Sequence, residues 1–216
     1  MVTHRYLPFL ERMLTPKRLQ HSLGVMQIMD DLSDVYGLDR EKAQTVGLLH
    51  DAAKELEPPQ QMRLIEEAGV EIRCDCDKYW DNVLHGPVGA YLVQKELAIQ
   101  DPLILNAIAM HTFYGYGDGF DAPMTWCVRF SDILEPNRDW SAVKWLRNGV
   151  ERLRTVVYTG HLEEGALLQT GWLLEWFEED GLLIHPNLRQ SYKNLSAKLN
   201  VDHTFLESNL SMGNTG

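Results

Sequence analysis

A chain of 216 residues can bury one substantial core, and 44% hydrophobic with 24% charged residues excludes disorder as its default state. The net charge of −11 opposes binding along a nucleic-acid backbone, the first residues lack the apolar stretch of a secretory signal, and no apolar run reaches the length of a membrane span. A cytoplasmic protein with no nucleic-acid or membrane partner is therefore expected, and three cysteines are too few and too odd in number for a disulfide framework.

Residues 1–14 read as a short mixed segment. Thr15-Pro16 then supplies an N-cap and a first-turn proline for a helix whose apolar positions Leu19, Leu23, Met26, Met29 and Leu32 recur at helical spacing, with Gly37 as its end. His21 lies in its first turns, beside Arg18 and Ser22. Asp39 caps a second helix that begins near Arg40, carries Ala43, Val46, Gly47, Leu49, Ala53 and Leu56, and runs until Pro58-Pro59 stops it. Within it falls the stretch around which the chain is organised, Leu48-Leu49-His50-Asp51-Ala52-Ala53-Lys54. Adjacent helical residues point about 100° apart, so His50 and Asp51 reach one ion only at an irregularity or against a partner helix that brings further ligands.

A short helix over 59–68 ends at Gly69 and leads into a loop in which Cys74 and Cys76 are expected as exposed, reduced thiols, whereas Cys127 reads as core. Residues 79–85 look irregular. Gly86-Pro87 then opens a helix with His85 just before its start, where free N–H groups receive an anion. Asp101-Pro102 opens the next helix, which runs into His111-Thr112 and a glycine-rich loop over 115–119, compatible with a mobile rim. From Pro123 another helix carries Trp126, Val128, Phe130, Asp132 and Ile133 and ends at Glu135-Pro136. Asp132 stands in apolar company, where a carboxylate needs a partner, a metal being one. Helices are expected over 142–157, 162–177 and 186–199, followed by a frayed tail rich in Ser, Asn and Gly. With no strand alternation anywhere, the fold is predicted to be all-α.

His21, His50, Asp51, His85, His111 and Asp132 all fall at helix ends or in apolar stripes, whereas His4, His161 and His203 fall in polar stretches and read as surface. Imidazole nitrogen and carboxylate oxygen together suit iron, manganese, cobalt, nickel or zinc better than calcium or magnesium. A metal-dependent hydrolase is the leading expectation.

In this order, Arg18-x-x-His21-Ser22, His50-Asp51-x-x-Lys54, His85-Gly86-Pro87-Val88-Gly89-Ala90, His111-Thr112 and Asp132-Ile133-Leu134-Glu135-Pro136-Asn137-Arg138 resemble the HD-domain metal-dependent phosphohydrolases. More narrowly they resemble the bacterial YqeK-type symmetrical diadenosine tetraphosphate hydrolases, whose C-terminal signature is similar to residues 184–192 here. The resemblance implies a single-domain HD helical bundle over 15–200, set between an N-terminal segment, 1–14, and a tail, 201–216. It implies that His21, His50, Asp51 and Asp132 hold the principal metal, commonly iron, with manganese, cobalt or nickel as alternatives. It further implies that His85 and His111 contact the phosphates or a second metal.

His50, Asp51, His85 and His111 are accordingly the expected catalytic residues, and Lys54, His85, His111, Thr112 and Arg138 the expected nucleotide and phosphate contacts, with Arg18 bracing Asp51 or the helix start. Cleavage of diadenosine tetraphosphate into two ADP comes from the resemblance alone. One departure stands out: the family follows its His-Thr pair with Thr and Gly, whereas this chain has Phe113-Tyr114-Gly115 and an aromatic loop over 113–120. The alternatives are another HD nucleotide phosphohydrolase, such as a nucleotidase or dNTPase, a nucleotide-binding sensor without turnover, or a helical scaffold. Gly115-Tyr116-Gly117 is not the Gly-Tyr-Pro signature of the cyclic-dinucleotide phosphodiesterases. Trp140, Trp145, Trp172 and Trp176 pack within the last helices or form the face of a homodimer.

Overall fold

The computed structural model describes residues 2–115, 119–140 and 144–201, without the side chains of 144–148. Among the described residues every regular element is a helix, as expected for an all-α protein. The chain divides into two compact units, Met1–Asn137 and Arg138–Gly216, and the stretch expected as one domain contains parts of both. The tail beyond Val201 with His203, the loop tip 116–118 and the start of the helix expected from Ala142 lie outside the described residues.

In the first unit the opening segment is not mixed but a helix, α1 (Val2–Met13), burying Val2, Tyr6, Phe9 and Leu10 at helical spacing. Pro8 inside it hides that pattern from a reading that takes proline as a stop. α2 (Pro16–Tyr36) is capped by Thr15 and ends at Gly37, whose φ of 63° is the left-handed conformation glycine favours. α3 (Arg40–Leu49) is capped by Asp39, whose Oδ1 accepts from the Lys42 amide at 2.9 Å. These two helices meet backbone to backbone: a Cβ on Gly47 would lie 2.8 Å from Met26 Cα.

The second expected helix does not continue to Pro58. It ends at Leu49, and three-residue turns follow, with Ala52 N donating to Leu49 O (3.1 Å), Lys54 N to Asp51 O (2.9 Å) and Leu56 N to Ala53 O (3.4 Å). Ala53 and Leu56, which prolong the helical periodicity in sequence, are buried instead with Leu64, Val88 and Leu92 in a separate cluster. Thr15 ties these turns to the head of α2, its amide and hydroxyl donating to the Glu55 carboxylate at 2.7 and 3.0 Å.

α4 (Pro58–Glu67) leads to Gly69 and then to a 3₁₀ turn, Asp75–Lys78. The thiols here are not both exposed: Cys74 is half-buried and Cys76 buried, because the buried Asp77 draws the loop inward by accepting from the Arg73 and Cys74 amides at 2.8 and 3.1 Å. Burial and the neighbouring Cys74 push the Cys76 thiol up to about 11, which keeps it protonated and unreactive. Cys127 is fully buried, as expected.

Residues Trp80–Leu84 form a π-helical turn that runs directly into α5 (His85–Leu97). The His85 amide is consequently taken by the Trp80 and Val83 carbonyls and is not one of the free amides expected at that helix start. A wide π turn is a frequent feature of functional sites, since it re-aims the side chains that follow. α6 (Pro102–Met110) approaches α5 at Gly86, where a Cβ would lie 2.6 Å from Ala109 O. α7 (Pro123–Leu134) closes the unit, ending at Glu135 in extended geometry (ψ 142°) as its following proline requires.

The second unit contains α8 (Lys144–Tyr158), α9 (Leu162–Glu179) and α10 (Pro186–Leu199). Trp172 is buried and packs on Gly149, and His185 is a buried N-cap whose Nδ1 accepts from the Asn187 amide at 3.1 Å. No described helix is long and apolar enough to cross a membrane.

Candidate metal centre

Four histidines and two aspartates from α2, the turn after α3, the head of α5, the end of α6 and α7 converge within the first unit. Asp51, buried and placed by the three-residue turns, lies at the middle. Its Oδ2 is 3.5 Å from His50 Nε2, 3.6 Å from His21 Nε2 and 3.0 Å from Arg18 Nη1. Its Oδ1 faces the other way, 3.2 Å from His85 Nε2 and 3.7 Å from His111 Nε2. Asp132, partly exposed, brings Oδ1 to 3.0 Å from His21 Nε2 and 3.9 Å from His50 Nε2.

Each imidazole is oriented from behind through Nδ1. His50 Nδ1 donates to Gly47 O (2.8 Å), His85 Nδ1 to Trp80 O (3.0 Å), and His111 Nδ1 to Ile108 O (2.7 Å). His21 Nδ1 donates to the Glu135 carboxylate at 3.0 Å. A carbonyl or ionised carboxylate only accepts, so each Nδ1 carries the proton and each Nε2 turns a lone pair toward the two aspartates. This is the arrangement of imidazoles poised as metal ligands, with outer partners fixing tautomer and ring direction. His50 is 0% exposed and its Nε2 has no hydrogen-bonding partner, so a cation would satisfy its buried lone pair. His85 and His111 present Nε2 to Nε2 at 3.0 Å, a pairing that one added proton or a cation satisfies. The groups His21, His50, Asp132 and His50, Asp51, His111 can each hold a metal ion.

Electrostatics follow from this crowding. Burial raises the Asp51 carboxyl, but the imidazoles of His50, His111 and His85 around it outweigh that and hold it well below the usual carboxylate range. Burial lowers His50 to about 3 against the pull of Asp51, and lowers His85 as well. His21 is raised, because Asp132, Glu135 and Asp51 together overcome its burial.

The chelator-treated protein is therefore expected to lose stability on acidification. Between pH 6.5 and about 3 the unfolded chain carries a proton on His50 that the folded chain refuses, so stability rises with pH in that window. The slope from one such group is at most about 1.4 kcal/mol per pH unit. His85 acts in the same direction, and the depressed Asp51 extends it below its ordinary value of 3.8. His21 opposes them: its contribution is complete below 6.5 and is lost as pH rises through its folded value. Urea unfolding at about pH 5 and about pH 7 measures the balance, and greater stability at the lower pH would contradict it.

Of the other expected contacts, Lys54 lies in the turn rather than on a helix, donating from Nζ to the Asp81 carbonyl, with its pKa lowered by burial against the attraction of Asp51, Asp81 and Asp132. The Thr112 hydroxyl donates to Val83 O at 3.1 Å. Arg138 opens the second unit, its guanidinium over the Trp140 ring at 5.3 Å. Arg18 braces Asp51, as expected.

Sequence reasoning placed Glu135 at a helix end and within the motif running from Asp132 to Arg138 but gave it no part in the site, yet it is buried, orients His21, and accepts through Oε2 from the Asn137 amide and Nδ2 at 2.7 and 2.9 Å. The usable signal was an acid fixed directly before a proline, three residues beyond Asp132. Gly24 was also missed: a Cβ there would lie 2.4 Å from Glu135 Oε2, so its bare backbone is what admits the carboxylate.

A family model described as HD domain matches residues 18–145, more than half of the chain. The symmetrical bis(5'-nucleosyl)-tetraphosphatase of Halalkalibacterium halodurans is 36% identical over 146 residues, covering 68% of this chain and 72% of that protein. The protein of the same name from Bacillus subtilis is 33% identical over 148 residues, covering 67% of this chain and 75% of its own length. A crystal structure of a predicted HD superfamily hydrolase involved in NAD metabolism, from Clostridium acetobutylicum, superposes with a TM-score of 0.78 at 29% identity, covering 90% of this chain and 97% of that one. The ordered histidines and aspartates, their convergence and these matches agree: the chain belongs to the HD-domain family of hydrolases.

Proposed function

We propose that the chain hydrolyses diadenosine tetraphosphate symmetrically, giving two ADP, at the centre around Asp51. What carries the reading is the set of four imidazoles, each with Nδ1–H tied back and Nε2 facing the aspartates, joined to the names of the relatives. His21, His50, Asp51 and Asp132 would hold the principal ion, and iron suits this mixture of nitrogen and oxygen donors, as do manganese, cobalt and nickel. His85 and His111, sharing Asp51 Oδ1, would hold a second ion or contact phosphate. Such an ion, when bound, supplies an activated water at neutral pH and polarises a phosphoryl oxygen.

The remaining work falls to the chain's own groups. Asp51, ionised throughout the physiological range, keeps four imidazoles turned inward and balances the positive charge gathered there. Where no second ion is bound, His85 and His111, Nε2 to Nε2 at 3.0 Å, would be placed to pass a proton to the departing ADP oxygen. Lys54, fixed by the Asp81 carbonyl close to the acidic groups, supplies a cation for the polyphosphate, which an acidic chain must provide locally. Thr112 serves by holding the loop after His111 to the π turn through Val83.

Ion-exchange analysis of the products from iron- or manganese-loaded protein tests this. ADP as the sole product supports symmetrical cleavage. AMP with ATP would overturn the regiochemistry, and binding of the intact dinucleotide without turnover would establish the sensor reading instead.

A further inference from the structure

Arg129 lies three residues before Asp132 on α7, so one rigid helix carries both. It is only 2% exposed, with its guanidinium carbon 4.3 Å from the ring centre of Phe120, 4.4 Å from that of Trp126 and 5.1 Å from that of Phe113. Burial lowers its pKa to about 9, which leaves it charged at neutral pH. A buried cation is costly unless its donors are used, and the acceptors of these donors identify its task. Nη2 donates to Met110 O at 2.6 Å and to Thr112 O at 3.4 Å, and Nη1 donates to Phe120 O at 3.0 Å. Met110 is the last residue of α6, where carbonyls lose their helical partners, and Met110 and Thr112 stand on either side of His111.

Building on the hydrolase reading of this centre, we infer that Arg129 is a positioning residue for His111, its Nη2 holding the two flanking carbonyls while Nη1 ties Phe120 O, and so aiming that imidazole at His85 and Asp51. Phe113, the residue at which this chain leaves the family pattern, forms one wall of the aromatic cage around the fork, with Phe120 as another. Lysine keeps the charge but lacks the second, coplanar nitrogen that ties Phe120 O while the first holds the carbonyls of Met110 and Thr112.

The test compares wild type, Arg129→Lys and Phe120→Leu by two readouts. In metal-stripped protein labelled with 15N-histidine, the Nδ1–H signals of His50, His85 and His111 report each ring's backing hydrogen bond. Arg129→Lys is expected to lose or shift the His111 signal while leaving that of His50 in place. Its kcat, in metal-loaded protein, is expected to fall about ten- to a hundredfold with KM little changed, as a misplaced catalytic group produces. Phe120→Leu, which loosens the cage and keeps the donors, is expected to show the same pattern to a smaller degree. A folded Arg129→Lys protein with the wild-type His111 signal overturns the assignment, as does simultaneous loss of every imidazole signal in both variants, which would make Arg129 a residue of the fold alone. Because the signals are read without substrate, a wild type inert toward diadenosine tetraphosphate defeats the hydrolase reading while the His111 signal still decides the role of Arg129.

Discussion

Asp51→Asn is expected to lower hydrolysis by at least about a thousandfold, roughly 4 kcal/mol of transition-state stabilisation, and to reduce metal content in the same preparation. The size follows from the two-sided contact of this carboxylate. Oδ2 faces His21 and His50, and Oδ1 faces His85 and His111, so one substitution disturbs both halves of the centre. Asparagine keeps the shape but turns one oxygen into an N–H₂ donor, which repels a cation and donates to an inward-facing Nε2 lone pair, taking that nitrogen away from an ion. It also leaves Arg18 without the carboxylate it braces. Activity within about tenfold of wild type, with metal retained, would show that Asp51 is not the hub.

The second large effect is expected from residues that need not touch an ion. Glu135→Gln removes the charged acceptor behind His21 and is expected to weaken metal binding about 10- to 100-fold, the usual cost of losing an outer-shell carboxylate. Gly24→Ala is expected to do the same from the opposite side, because its Cβ would lie 2.4 Å from Glu135 Oε2 and 2.9 Å from Asn137 Nδ2 and must push the carboxylate away. Chelator competition measures both affinities. Wild-type affinity in both variants would place Glu135 outside the machinery of the centre.

The contrast between Asp51 and Glu135 shows what was legible in the sequence. His50 and Asp51 announce themselves because two chemically expensive residues sit side by side in an apolar run, and the helix signals at Thr15-Pro16, Asp39, Asp101-Pro102 and Glu135-Pro136 are local and strong. The end of α3 is not legible. Ala53 and Leu56 continue its apolar period, and only tertiary packing against Leu64, Val88 and Leu92 reveals that turns, not helix, put them there. The π turn before His85 escapes for a similar reason, since five-residue hydrogen bonding leaves no compositional mark. Glu135 and Gly24 are separated by more than a hundred residues, and their pairing exists only once α2 and α7 are side by side. Arg129 drew no notice in the sequence, where a lone charge carries no mark of its surroundings, and it is buried under three aromatic rings.

The most direct measurement is metal content and diadenosine tetraphosphate turnover, determined on one anaerobically purified sample before and after chelation. At least one transition-metal ion per chain, turnover to ADP that disappears with the ion and returns with iron or manganese, is the result predicted by four imidazoles turned inward on Asp51. Undiminished turnover by protein shown to be free of metal would contradict it.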